Sequence, residues 1–216
     1  MAFPRLYAIL DAGLVAGGEP ALAAKLAEAG VTLIQYRNKT AGARQLFDIS
    51  CAIRSGLSGY DARLIVNDRV DVALAAGAGG VHVGQDDLSV ENVRAVAEKA
   101  GQKRADFWIG FSTHTLEQVR EADATSADYV AVGPIFETAT KKAHDPIVGI
   151  EFVRQVRGLT RKPLVAIGGI TAESAGEIFA AGADCVAVSK DLITATDPAR
   201  RAREFLSIGA NGRANR

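Results

Sequence analysis

Two stretches of the 216-residue chain, AGAGGVHV (76–83) and AGADCVAV (181–188), are near copies of one another. TSADYVAV (125–132) and EAGVTLIQ (28–35) repeat the pattern more loosely. Each closes a helical run on small residues and opens a β-rich one. The valines that start them, Val31, Val81, Val130 and Val186, recur at intervals of 50, 49 and 56 residues. Such an interval holds two strand–helix units, and a repeat at that spacing is expected of a closed barrel with layered side chains.

Working outward from these copies, eight β-rich runs appear: Leu6–Leu10, Val31–Gln35, Leu64–Val66, Val81–Val83, Trp108–Phe111, Tyr129–Val132, Leu164–Ile167 and Cys185–Val188. Stretches of helical period separate them, among them ALAAKLAEAG (21–30) and ARQLFDISCAIRSG (43–56). Strands that are apolar without alternation belong to a parallel sheet covered on both faces. Strand–helix alternation demands right-handed crossovers. Eight units in this length predict an α/β fold, a single-domain (β/α)8 TIM barrel, which typically takes roughly 200–250 residues. An open doubly wound sheet fits less well, because no G-x-G-x-x-G follows the first run. The barrel is expected over 1–206, with 207–216, rich in Gly, Asn and Arg, fraying as a tail.

Twenty-five Lys and Arg balance twenty-five Asp and Glu. With no net charge there is no general basic field for nucleic acid or an anionic membrane, so any anion site must be local. No run approaches the roughly 18 apolar residues of a membrane helix, and the opening MAFPRLYAILDAG reads as a first strand rather than a signal peptide. Cys51 and Cys185 read as two buried free thiols, which together with the missing signal peptide predicts a cytoplasmic protein. Oligomeric state is not legible.

Chemistry in such barrels gathers at the C-terminal ends of the strands. From the second strand on, every run ends in polar, charged or glycine residues: Gln35-Tyr36-Arg37-Asn38-Lys39, Asn67-Asp68, Gly84-Gln85-Asp86-Asp87, Ser112-Thr113-His114, Gly133-Pro134 with Thr138-Ala139-Thr140-Lys141, Gly168-Gly169 and Ser189. Arg37 and Lys39 alternate on an extended segment, so both can face the way Gln35 faces and offer charge to phosphate oxygens. Gly168-Gly169 before Thr171 reads as a backbone N–H cradle running into a helix, and Val188-Ser189 suits a phosphate site shared by the last two loops. Asp68 and Asp87 follow neighbouring strands. A pair of carboxylates with Asn and Gln nearby is a hard-oxygen setting that suits Mg2+ rather than zinc, though either aspartate could instead cap the next helix. His82, inside an apolar strand, reads as structural; His114 fits either capping or chemistry.

In order and spacing, QYRNK (35–39), LIVNDRVDVALAAGAGGVHVGQDDL (64–88), GFSTHT (110–115), VGPIFETATK (132–141), AIGGI (166–170) and VAVSKD (186–191) resemble the thiamine phosphate synthase family. The likeness runs from Arg5 to about Leu192. It implies a transferase with two small phosphorylated heterocyclic substrates, a hydroxymethylpyrimidine diphosphate and a thiazole phosphate, joined with release of pyrophosphate by dissociative substitution. By the same resemblance Gln35, Tyr36, Arg37, Asn38, Lys39, Asn67, Ser112 and Lys141 hold the pyrimidine diphosphate. Thr138, Ala139, Thr140, Gly169, Val188 and Ser189 hold the thiazole phosphate, and Asp68 and Asp87 bind Mg2+. Arg37, Lys141 and Ser112 are the expected catalytic groups. The chain departs from the family's habit at Glu137, where Pro is common, and at Tyr36, where an aliphatic residue is. A tautomerase-like relative with His114 as acid/base, a phosphosugar isomerase and a degenerate binding barrel are the rival readings; the metal-type and basic groups together favour the synthase.

Overall fold

The computed structural model describes residues 3–15, 17–138 and 146–210. In chain order the elements are β1 (Leu6–Asp11), α1 (Ala12–Val15), α2 (Glu19–Glu28), β2 (Leu33–Arg37), α3 (Ala43–Gly56), β3 (Arg63–Asn67), α4 (Val70–Ala75), β4 (Gly80–Val83) and α5 (Val90–Lys99). They continue as β5 (Trp108–Thr113), α6 (Leu116–Ala124), β6 (Tyr129–Val132), α7 (Gly149–Arg157), β7 (Leu164–Ile167), α8 (Ala172–Ala180), β8 (Cys185–Val188), α9 (Lys190–Ile193) and α10 (Pro198–Ala210). The strands pair in sequence order, all parallel, and β1 closes on β8 through Leu6↔Val186. The predicted (β/α)8 barrel is the fold.

Two apolar layers follow from the period-2 alternation of the strands. Tyr7, Ile9, Leu33, Ile65, Tyr129, Val165 and Cys185 pack against one another inside the barrel. Ala8, Leu10, Ile34, Leu64, Val66, Ile109, Val130 and Val186 belong to the larger cluster that also takes the helices' buried faces, such as Leu26, Val93 and Ile178. Val81, Val130 and Val186 face the helices, not the layered interior, and the interior positions beside them are His82, Tyr129 and Cys185. What repeats every two units is therefore the socket for a helix. Val31 lies before its strand, because its N–H is taken by Leu26 O at 3.0 Å in the turn that ends α2.

Glycine clears the interior at one decisive place. A Cβ on Gly110 would overlap the Tyr129 ring and His82 Nδ1, so only glycine lets those two side chains meet across β5. At the closed end Phe3 stacks on Trp108 with ring centroids 5.4 Å apart and seals the floor.

The last helix runs to Ala210, beyond the Ser207 at which fraying was expected, and packs on α8 and α2. Residues 211–216 of the expected tail lie outside the described residues. Both cysteines are free; Cys185 is buried, but Cys51 on α3 is only half-buried. Among the described residues no helix is long and apolar enough to cross a membrane.

Candidate active site

A cavity of about 820 Å³ opens at the C-terminal ends of the strands. Its basic side is built by β2. Alternation turns Leu33, Gln35 and Arg37 inward at successive heights, and Lys39 continues the series on the loop; Gln35, Arg37 and Lys39 all line the cavity. Gln35 is buried and donates from Nε2 to Tyr7 OH at 2.7 Å. Arg37 forms an ion pair through Nη1 with Asp11 Oδ2, its register partner on β1. Asp11 also accepts from Gly13 N at 3.0 Å.

The same alternation sends the side chains of Tyr36 and Asn38 the other way. Tyr36 is buried in the helix-facing layer, where Asn38 Nδ2 donates to its hydroxyl at 3.3 Å. Asn38 Oδ1 accepts from Thr40 N at 3.1 Å and Ala41 N at 3.0 Å, turning the chain into α3. Neither side chain lines the cavity.

The acidic side comes from the loops after β3 and β4. Asp68 holds a left-handed backbone, φ 62°, with its N–H bonded to His82 O at 2.8 Å. A non-glycine residue there costs conformational energy and marks a position over-determined by its surroundings. Its Oδ2 accepts from Lys39 Nζ at 2.5 Å. Burial pushes the Asp68 carboxyl up; Lys39 opposes this, and Asp87, close enough to hydrogen-bond, pushes it up further. The two aspartates therefore converge. Neither caps a helix: Arg69 stands at the start of α4 without a side-chain cap, and Ser89 caps α5 by accepting from Asn92 N. Among the described residues no three His, Cys, Asp or Glu are grouped as a metal cage. Two crowded carboxylates and only oxygen donors nevertheless fit Mg2+, which takes one or two carboxylates and fills its sphere with substrate phosphate and water.

Beneath both sides lies a polar floor. His82 Nε2 is 2.8 Å from Ser112 Oγ and Nδ1 is 3.1 Å from Tyr129 OH. Tyr129 OH donates to Tyr7 OH at 2.9 Å. Burial lowers the His82 pKa to about 4 against the pull of Asp87, so the ring is neutral. Gln85 Nε2 donates to Ser112 O at 2.6 Å and steadies that loop.

Opposite the basic side stand Gly168 (φ 104°) and Gly169 (φ 64°). A Cβ on Gly169 would press on Phe136 Cβ and overlap Glu137 O, so the turn closes only with glycine. Gly169, Val188, Ser189, Thr138 and the exposed Glu137 all line the cavity. Ser189 Oγ donates to Ile9 O at 2.9 Å. Asn67 is also at the wall. Ala139, Thr140 and Lys141 lie outside the described residues, as does His144. His114 sits at the rim with Nδ1 2.6 Å from Gly133 O.

Sequence reasoning passed over Asp11 and took His82 as merely structural. The signal for Asp11 was present: it ends the first strand, the one strand end left out when the polar rim was read. Nothing in the order of residues linked His82 to Ser112, thirty positions on.

A family model described as thiamine monophosphate synthase matches residues 6–192. The thiamine-phosphate synthase of Koribacter versatilis is 48% identical over 211 residues, 95% of each chain. That of Methanospirillum hungatei is 40% identical over 204 residues, covering 94% of this chain and 96% of its own. A solved structure of thiamine phosphate pyrophosphorylase from Pyrococcus furiosus superposes with a TM-score of 0.85 at 32% identity, covering 97% of this chain and 96% of that one. A barrel mouth with convergent carboxylates, an inward basic row and a glycine cradle is thus joined to sequence likeness along nearly the whole chain, which belongs to the thiamine monophosphate synthase family.

Proposed function

We propose that this chain is a cytoplasmic transferase that couples 4-amino-2-methyl-5-(diphosphooxymethyl)pyrimidine with 4-methyl-5-(2-phosphoethyl)thiazole, or with its carboxylated form with loss of CO2, giving thiamine phosphate and pyrophosphate. The observation that carries it is one cavity of about 820 Å³ lined by Arg37, Lys39, Asn67, Ser112, Asp68 and Asp87 on one side and by Gly169, Val188 and Ser189 on the other. That is the upper end of the range for a ligand site, and room for two anionic heterocycles.

The chemistry asks the protein mainly to receive a leaving group. The bond from the methylene carbon to the diphosphate oxygen breaks with its electron pair on oxygen. Arg37 and Lys39 meet the growing charge, and Asn67 adds a neutral donor. When bound by Asp68 and Asp87, Mg2+ would supply further neutralisation of the departing diphosphate. The pyrimidine amine spreads the positive charge left on the methylene carbon. The thiazole nitrogen then closes the new C–N bond with its lone pair, so no proton is removed and no general base is required. Gly168-Gly169 and Val188-Ser189 hold the thiazole phosphate, fixing that nitrogen beside the carbon. By the family resemblance Lys141, Thr138, Ala139 and Thr140 complete the two phosphate sites.

The test is to mix purified protein with both phosphorylated heterocycles, with and without Mg2+, and assay pyrophosphate. Release that needs both substrates and the metal is expected. No release under any of these conditions would overturn the assignment.

A further inference from the structure

The polar groups under the cavity form one hydrogen-bonded chain, and proton counting gives it a direction. Gln35 Nε2 donates to Tyr7 OH at 2.7 Å, and Tyr129 OH donates to the same oxygen at 2.9 Å. A phenol has a single proton. Tyr129, having committed its own to Tyr7, meets His82 with lone pairs only. With the Tyr129 hydroxyl directed at Tyr7, it is His82 Nδ1, 3.1 Å away, that carries the ring proton. A neutral imidazole has one N–H, so Nε2 is bare and takes the hydroxyl proton of Ser112 at 2.8 Å. Tyr7 forms part of the cavity floor. The oxygen of Ser112 is left facing the cavity with lone pairs and no hydrogen to give.

We propose that His82 is a positioning residue that makes Ser112 a hydrogen-bond acceptor, and that Ser112 receives an N–H of the pyrimidine's exocyclic amine rather than touching the diphosphate. This deepens the coupling reading above and rests on it. Diphosphate oxygens next to a divalent cation and two basic side chains are unprotonated and have nothing to donate to Ser112. An aminopyrimidine has the complementary donor. Accepting from that amine favours flow of its electrons into the ring, the flow that stabilises the methylene cation. Because Ser112 already donates to His82, its oxygen is the stronger acceptor through cooperativity along the chain. Gly110 clears the space where His82 and Tyr129 meet.

Two measurements test this. The sequence holds three histidines, so ring-nitrogen NMR of uniformly 15N-labelled protein, assigned by comparison with His82→Gln, reads the tautomer directly. The Nδ1–H form is expected at His82, giving way to a mixture in Tyr129→Phe; the Nε2–H form in the unaltered protein would overturn the proposal without any change at the serine. Second, calorimetry compares hydroxymethylpyrimidine monophosphate with its 4-deamino analogue. Ser112→Ala should bind the amine roughly fivefold more weakly, the worth of one hydrogen bond, and the analogue equally well. Equal loss for both compounds, or loss for neither, would count against the amine contact. Coupling activity alongside an Nε2–H signal removes this proposal alone, whereas no activity and no binding of either compound to the unaltered chain removes the coupling reading and this proposal with it.

Discussion

Lys39 and Asp68, on loops after adjacent strands, meet at the rim with Nζ 2.5 Å from Oδ2, and this one ammonium lets Asp68 and Asp87 share a corner of the cavity. Burial and Asp87 raise the Asp68 pKa while Lys39 lowers it. Metal ligation needs the ionised form, so coupling at limiting Mg2+ should fall as pH drops through the raised value. Lys39→Met removes the opposing influence and should move that fall to higher pH. Rates from pH 5 to 8.5 at subsaturating Mg2+ would show it; an unmoved midpoint would mean that the lysine does not tune the pair.

The same carboxylate is expected to weaken the empty fold. A folded-state pKa above the unfolded one means that the native chain holds its proton more tightly, so stability falls as pH rises between the two values. Asp68→Asn removes that unfavourable charge and suits φ 62° as well or better. We expect a Tm higher by roughly 2 °C at neutral pH in metal-free buffer, together with loss of Mg2+-dependent coupling. A lower Tm would show that the Lys39 ion pair outweighs the crowding.

Asp11 should matter through Arg37. It receives Arg37 Nη1 on one oxygen and Gly13 N on the other. Asp11→Asn keeps the shape and the Gly13 bond but gives up the charge that aims the guanidinium. About a tenfold rise in KM for the pyrimidine diphosphate is expected, with KM for the thiazole phosphate unchanged. Steady-state kinetics in both substrates decide the matter.

Arg201 on α10 ties the two loops of the proposed thiazole-phosphate cradle. Its Nε and Nη2 grip Asp191 at 2.8 and 3.0 Å, two residues past Ser189, and Nη2 also reaches Glu173 in the first turn of α8 at 3.0 Å. Arg201 is one-fifth exposed, so the grip is partly shielded from solvent. Arg201→Ala should raise KM for the thiazole phosphate about threefold to tenfold and leave that for the pyrimidine diphosphate alone. An equal rise for both would point to general loosening of the barrel.

The eight strands and their order were legible because burying both faces of a parallel sheet writes apolar runs into the chain, and each connection leaves a helical period behind it. Which of two strand faces looks inward was not legible. The repeated valines fit helix sockets rather than interior layers; both faces are apolar, and only closure distinguishes them. At β2 the alternation was legible enough to place Gln35, Arg37 and Lys39 together, and by the same rule it turns the side chains of Tyr36 and Asn38 towards the helices.

What sequence alone determined was a one-dimensional pattern: a parallel barrel with its chemistry at one rim, and residue types suited to phosphate and a hard cation. Such features survive in a linear order because period and residue type are local properties. Tertiary structure decided which groups meet. Asp11 on Arg37, Asp68 on Asp87, and His82 between Tyr129 and Ser112 are contacts between groups on strands, or the loops after them, that are adjacent or next but one around the barrel. Their partners lie from 19 to 47 positions apart in the chain, and hydrogen-bond direction and carboxylate pKa depend on distances of a few ångströms that only closure of the sheet creates.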